Sequence, residues 1–241
     1  MCCKSKSFQR LQVSLPHSSY CWDTSFETVF IAKTPRLLEA LMPAYTWRVP
    51  TQERRLYLTF DDGPIPELTP WVLDVLRPFG AKATFFCVGE NVVKHPEVFQ
   101  QILSEGHSVG NHTFNHLNGS KTEPLRYLHN VRRCARVVPS PFFRPPYGRL
   151  RAPQRAFLKR HFRIIMWDVL SGDYDAGISP EQCLAHVLDH VQPGSIVVLH
   201  DSLKAERNLR FVLPKIVAHF AAAGWRMESL SQAFQNKTAQ Q

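Results

Sequence analysis

From about residue 54 to 230 the chain alternates between two apolar patterns. Short continuous apolar runs fall at about 54–60, 83–88, 107–110, 163–167, 196–199 and 225–230, and these predict buried strands. Between them, apolar residues recur every three or four positions, the spacing of a helix with one inward face. Trp71, Val72, Val75, Leu76 and Phe79 form such a stripe, opened by Thr69-Pro70 and closed by Gly80. Further helices are predicted over about 91–105 with a break at His95-Pro96, over 123–138, over about 151–161, from Ser179-Pro180 through Val191, and over 211–223. A short amphipathic helix over 35–45 precedes the first strand. Strands alternating with helices imply an α/β protein whose strands run parallel and are joined by helical crossovers. A barrel and an open doubly wound sheet both fit that alternation.

Composition narrows the organisation. The chain has 241 residues, of which 44% are hydrophobic, enough for one domain with a full core. No linker or internal repeat divides the alternating region. Residues 1–28 are polar, Ser-rich and aperiodic, and read as a poorly ordered extension to a domain over 29–241. They also lack the apolar centre of a secretory signal, which leads to the expectation of a cytoplasmic location. None of the six cysteines forms a CxxC pair, so no disulfide framework or cysteine metal site is expected. The net charge of +9 is local, since 121–163 holds twelve basic residues against the single acid Glu123. Such a segment fits an anionic partner, a phosphate-bearing or lipid-linked molecule included, or a solvated Arg-rich helical face. No nucleic-acid motif accompanies it.

Five stretches carry candidate chemistry, mostly at strand ends, where α/β folds collect their active sites. Leu56-Tyr57-Leu58 leads into Thr59-Phe60-Asp61-Asp62-Gly63-Pro64. Two adjacent carboxylates repel unless a cation separates them, so one could bind a metal while the other stays free as a base. A plain Asp-Gly turn fits the hexapeptide equally well. His112-Thr113-Phe114-Asn115-His116 spaces two imidazoles to converge on one ion, and with Asp62 would give three ligands and an open position. A surface or capping pair is the plainer reading. In Phe143-Arg144-Pro145-Pro146-Tyr147-Gly148 the prolines stiffen the loop and lack N–H groups, which presents the Tyr147 N–H, while Arg144 can pair with a carboxylate. The segment from Trp167 to Tyr174 offers Asp168, Asp173 and two aromatic faces; Trp167 reads more simply as core packing. His200, ending Val197-Val198-Leu199, is either a general acid with a tunable pKa or a capping or core histidine.

In this order the five stretches resemble the five motifs of the polysaccharide deacetylase family, the NodB-type domain or carbohydrate esterase family 4. The resemblance spans about residues 55–230. It implies a distorted (β/α) barrel with about seven mainly parallel strands. It also implies a metal-dependent hydrolase that removes N-acetyl groups from an amino sugar or polysaccharide. The implied cofactor is a divalent metal, foremost zinc, with cobalt, nickel or manganese as alternatives, held by Asp62, His112 and His116. Asp61 would be the general base, oriented by Arg144. The Tyr147 N–H would stabilise the oxyanion. His200 would be the general acid, paired with Asp173, Asp168 being the alternative partner. Tyr147, Trp167 and Tyr174 would bind substrate, and Leu199 would form part of the acetyl pocket. The family usually places Trp after the motif-four acid; Tyr174 here keeps a flat face but shortens that wall. Two other functions stay open from sequence: an amidohydrolase of a small or lipid-linked intracellular amide, and a non-catalytic carbohydrate-binding module.

Overall fold

The computed structural model describes residues 30–238. The extension expected over 1–28 lies outside the described residues. In chain order the strands are β1 (Arg55–Asp61), β2 (Thr84–Cys87), β3 (Ser108–Asn111), β4 (Phe142–Phe143), β5 (Arg163–Ile164), β6 (Val169–Leu170), β7 (Ile196–His200) and β8 (Arg226–Met227). The helices are α1 (Arg36–Leu41), α2 (Thr69–Leu76), α3 (Gly89–Lys94), α4 (Pro96–Ser104), α5 (Pro124–Ala135), α6 (Ala152–Leu158), α7 (Pro180–Leu188), α8 (Glu206–Ala222) and α9 (Leu230–Thr238).

β1 is the hub of the sheet. Every residue from Leu56 to Asp61 is buried, as expected of a central parallel strand covered on both faces. It pairs in parallel with β2 on one side and β7 on the other, and its first residues also pair with β8. The full path is β5-β4-β3-β2-β1-β7-β6, and every strand pairing along it is parallel. The sheet is a curled, incomplete (β/α) barrel, as the resemblance implied: seven strands on the path, and β8 beside it.

The two edge strands, β5 and β6, are consecutive in sequence yet lie at opposite ends of the path. The chain before β1 covers this gap. Lys33 bridges Val169, Thr46 bridges Ile165 and Arg48 bridges Ser195. The main core lies between the sheet and its helices. Leu58, Phe60 and Leu199 pack there against Val72 and Leu76 of α2, Cys183 and Val187 of α7, and Val212 and Ile216 of α8.

Several boundaries differ from the sequence reading. β4 ends at Phe143, where the stiffened loop begins, and β6 lies within the Trp167–Tyr174 segment; no strand was expected at either place. Each has only two residues, too few for periodicity to register. The strand expected over 225–230 pairs only at 226–227, because Leu230 already starts α9. Leu230 and Ala233 join Tyr57, Phe86, Phe142 and Ile165 in a second apolar cluster, which is what fixes that helix. α8 begins at Glu206, ahead of the expected Phe211, and continues through Pro214 with Leu209, Val212 and Leu213 buried. The predicted break at His95-Pro96 separates α3 from α4. Cys87, Cys134 and Cys183 are buried free thiols.

Candidate active site

β1 ends at Asp61, and Asp62 turns out of the strand with φ +87°. Among the described residues, Thr113, His116 and Tyr147 are the other non-glycine residues with positive φ. Such conformations cost on the order of 1–3 kcal/mol each and persist only where the surroundings enforce them. Here all four belong to candidate motifs, and for Asp62 and Thr113 the enforcing groups are visible. Asn91 Nδ2 donates to the Asp62 carbonyl at 2.8 Å. Asn111 Oδ1 accepts from Thr113 N at 2.9 Å, and Asn130 Oδ1 accepts from Phe114 N at 2.7 Å. Below the turn, buried Asp201 accepts from Gly63 N at 3.1 Å and from the Thr69 hydroxyl at 2.6 Å. A Cβ at Gly63 would sit 2.0 Å from an Asp201 carboxylate oxygen, so only glycine allows this approach. Burial, reinforced by the charge of Asp62 and opposed by the Thr69 and Gly63 hydrogen bonds, raises the Asp201 carboxyl to about 8.

The two adjacent acids meet different partners. Asp61 Oδ1 accepts from Arg144 Nη1 at 2.6 Å. Arg144 is itself fully buried and also donates to the Thr59 hydroxyl, to Ile165 O and to Met166 O, at 2.8, 3.3 and 3.0 Å. Its guanidinium lies 4.1 Å from the Phe86 ring centroid. Every contact fixes the guanidinium, and through it the direction of Asp61.

Asp62 instead faces two imidazoles. His116 Nε2 lies 3.1 Å and His112 Nε2 3.7 Å from Asp62 Oδ1. That oxygen is buried and, despite these distances, makes no hydrogen bond of sound geometry. One ligand atom from each residue falls within 4.8 Å of the others. His112 Nδ1 lies 2.8 Å from the Arg144 carbonyl, which can only accept a hydrogen bond, so Nδ1 carries the hydrogen and the Nε2 lone pair points toward Asp62. Burial lowers the His112 pKa to about 4 and keeps the ring neutral, as a metal ligand must be. Burial alone would raise the Asp62 carboxyl, but the adjacent His116 and the charge of His200 hold it below the usual carboxylate range. An orphaned buried carboxylate oxygen facing two imidazole Nε2 atoms fits a divalent cation.

On the neighbouring strand β7, His200 is the register partner of Asp61. Asp173 grips it twice: Oδ1 lies 2.8 Å from His200 Nδ1, and Oδ2 accepts from the His200 backbone N at 2.8 Å. Burial alone would lower the His200 pKa, but the charge and hydrogen bond of Asp173, helped by Asp62 and Asp61, raise it to about 9. Asp168, the alternative partner, is elsewhere. It is fully buried and holds Lys33 at 2.8 Å, Arg48 at 2.6 Å and the Ser195 hydroxyl.

These groups open into a cleft of about 740 Å³, lined by Asp61, Asp62, His112, His116, Tyr147, Trp167, Tyr174 and His200 among others. Trp167 is thus part of the wall rather than core alone. The Tyr147 ring stands 4.9 Å from His116, and the Tyr174 ring 5.0 Å from His200, between centroids. Gly148 N and Arg149 N donate to Pro145 O and Pro146 O. Among the described residues the Tyr147 N–H meets no acceptor. One expectation is corrected. Leu199 does not line the cleft; it is fully buried in the main core. Side chains alternate faces along a strand, and His200 and Val198 face the cleft, so Leu199 must face the helices. Val198 and Leu170 are the apolar residues on that side of the cleft. The sequence reading missed the supporting Asn91, Asn111, Asn130 and Asp201. Their only sequence signal is a polar residue in or beside an apolar run.

A parallel barrel with a candidate cation triad and a candidate acid–base pair at its strand ends has the makings of a hydrolase-type α/β site. The family model described as polysaccharide deacetylase matches residues 48–161. A peptidoglycan-N-acetylglucosamine deacetylase of Bacillus cereus is 34% identical over 199 residues, covering 80% of this chain and 93% of that protein. A chitooligosaccharide deacetylase of Azorhizobium caulinodans is 34% identical over 162 residues, covering 64% of this chain and 77% of that one. Among solved structures, the Bc1960 peptidoglycan N-acetylglucosamine deacetylase aligns with a TM-score of 0.76 at 32% identity, over 84% of this chain and 97% of its own. The chain belongs to the polysaccharide deacetylase family.

Proposed function

We propose that this protein is a metal-dependent N-deacetylase of an amino-sugar glycan. The observation that carries the reading is the unequal partnering of Asp61 and Asp62 at the strand ends, with His200 in register beside them. The relatives supply the reaction class, since they are named as deacetylases of peptidoglycan N-acetylglucosamine or of chitooligosaccharides.

Asp62, His112 and His116 would hold the cation, and one carboxylate with two imidazoles suits zinc foremost, with cobalt, nickel or manganese as alternatives. Once bound, the metal would polarise the amide carbonyl and acidify water. The remaining work falls to the chain. Asp61, oriented by Arg144, accepts the proton of the attacking water. The Tyr147 N–H donates to the oxyanion as the carbonyl carbon becomes tetrahedral. An amine leaves poorly unless protonated, and His200, kept cationic by Asp173, supplies that proton. Val198 and Leu170 give the acetyl methyl an apolar floor, and Trp167, Tyr147 and Tyr174 offer flat faces to sugar rings.

The test is acetate release by zinc- or cobalt-loaded protein from chitooligosaccharides and from peptidoglycan fragments. Release from at least one, abolished in Asp61→Asn, is the expected result. No release from either substrate class sinks the reading.

A further inference from the structure

We propose that the cleft sorts glycans by the charge of the sugar units beside the reacting one: Lys121, Arg149 and Lys204 favour a neighbour bearing a carboxylate or phosphate and oppose one already deacetylated to an ammonium. This rests on the N-deacetylase reading above and adds a substrate class to it.

All three cations line the cleft. The two acids that line it are already engaged, Asp61 by Arg144 at 2.6 Å and Asp62 by the imidazole pair. Among the described residues no carboxylate lies within ion-pair distance of Lys121, Arg149 or Lys204. Their charge is therefore uncompensated by the protein and projects into the cleft, where low-dielectric walls concentrate it.

The cations also stand on built supports. Lys121 ends a short turn, Gly119–Lys121, whose carbonyls are clamped from below. Gln154, fully buried, donates to Gly119 O at 3.0 Å and to Thr122 O at 3.2 Å. Arg151 donates to Ser120 O at 2.9 Å. The turn packs so tightly on the next loop that a Cβ at Gly119 would lie 2.3 Å from the Arg149 carbonyl. Lys121 and Arg149 are thus carried on two turns held in contact, with no acid placed between them. Lys204 comes from the other side, just after β7. Its Nζ lies 5.5 Å from the Tyr174 ring centroid, and Tyr174 packs on His200.

The reaction itself makes this arrangement consequential. Hydrolysis breaks the amide C–N bond, forms a C–O bond with water and leaves acetate and an amine, which is protonated at neutral pH. A neutral sugar unit becomes cationic. If that unit then occupies a flanking position, it meets Lys121, Arg149 or Lys204. Deacetylation therefore discourages itself at adjacent units, and anionic neighbours are the ones the cleft welcomes.

The experiment measures kcat and KM for acetate release at low and high salt from three oligosaccharides of equal length. One is fully N-acetylated and neutral, one carries a single deacetylated unit next to an acetylated one, and one carries a lactyl carboxylate on the neighbouring unit. For the wild type, KM is expected to rise in the order anionic, neutral, cationic, with the spread shrinking in high salt. Each cation contributes roughly two- to five-fold, the range of exposed charge pairs. The triple variant K121Q/R149Q/K204Q should collapse the anionic-to-cationic KM ratio by about ten-fold or more. The remote surface variant Lys215→Gln should keep the wild-type ratio. Acetate release with the same KM for all three, or an order that survives in the triple variant, overturns the proposal. Should none of the three release acetate, the deacetylase reading fails on its own. Calorimetric binding of the same oligosaccharides then decides the charge proposal: an affinity order abolished in the triple variant sustains it, and equal affinities overturn it.

Discussion

Asp61 continues the regular backbone of β1 and meets a guanidinium, whereas Asp62 turns to φ +87° and meets two imidazoles. Adjacent in sequence, they should fail differently. Asp62→Ala removes the anionic member of the candidate ligand triad and should lower zinc affinity by about 100-fold or more, read by competition with a chromogenic chelator. Asp61→Ala should keep zinc within a few-fold of wild type and lose turnover by about 10²–10⁴-fold. Equal metal loss in both would undo the division of labour. His200 gives the matching prediction for pH. Its folded pKa, about 9, lies above the ordinary histidine value, so the folded state holds its proton more tightly than the unfolded state does. The resulting stability is fully present below about pH 6.5 and is lost as pH rises through about 9. Activity that needs the protonated ring should fall over the same alkaline window. A cation on Asp62 cancels part of that carboxylate's influence, so in the metal-loaded enzyme the limb belongs somewhat below 9. Asp173→Asn removes the main source of the upward shift and should move the alkaline limb of kcat/KM to lower pH. An unmoved limb would mean that another group carries it.

At the scale of elements, β7 shows how one strand serves two masters. Its alternation sends Val198 and His200 to the cleft and Leu199 to the core. Leu199→Ala should therefore cost about 2–5 kcal/mol of folding stability by denaturant titration while leaving substrate KM near wild type. Val198→Ala should do the reverse, with a small stability loss and better acceptance of acyl groups longer than acetyl. If Leu199→Ala instead widened acyl tolerance, the facing assigned to β7 would be wrong. The same strand shows what the sequence could and could not carry. Asp61, Asp62, His112, His116, Arg144 and His200 were legible because each is a chemically distinctive residue within a short local motif. The direction of Leu199 was not, because it depends on which face of β7 the barrel turns inward. Asn91, Asn130 and Asp201 were not legible either. Their partners, Asp62 O, Phe114 N and Gly63 N, are 29, 16 and 138 residues away, and nothing local announces such pairings. Two-residue strands such as β4 and β6 are likewise held by neighbours on the sheet rather than by propensity.

For the molecule as a whole, the weak point of an incomplete parallel barrel is the gap between its edge strands. β5 and β6 do not pair with each other, and exposed edges must be covered. The segment before β1 does this through single bridges at Lys33, Thr46 and Arg48, which by themselves contribute few hydrogen bonds. Asp168 gathers that segment. Fully buried just before β6, it takes Lys33 and Arg48 from the covering chain and the Ser195 hydroxyl from the start of β7. The sequence left Asp168 and Asp173 as rivals for His200; the fold gives them separate tasks, one joining the seam and one holding His200. Truncating Asp168 leaves Lys33 with the His190 carbonyl at 2.8 Å and Arg48 with Glu39 at 3.5 Å, and removes the one carboxylate that holds both. Asp168→Ala should therefore cost about 3–5 kcal/mol, the usual penalty for breaking a buried ion pair, or roughly 6–20 °C in Tm for a domain of this size. Because Asp168 touches no cleft residue's functional group, the fraction that stays folded should bind zinc as wild type does and keep the alkaline limb set by His200. Asp173→Asn should show the opposite pattern, a displaced limb with the seam intact. A displaced limb in Asp168→Ala, with Tm unchanged, would show that the seam and the acid are not the separate systems described for this fold.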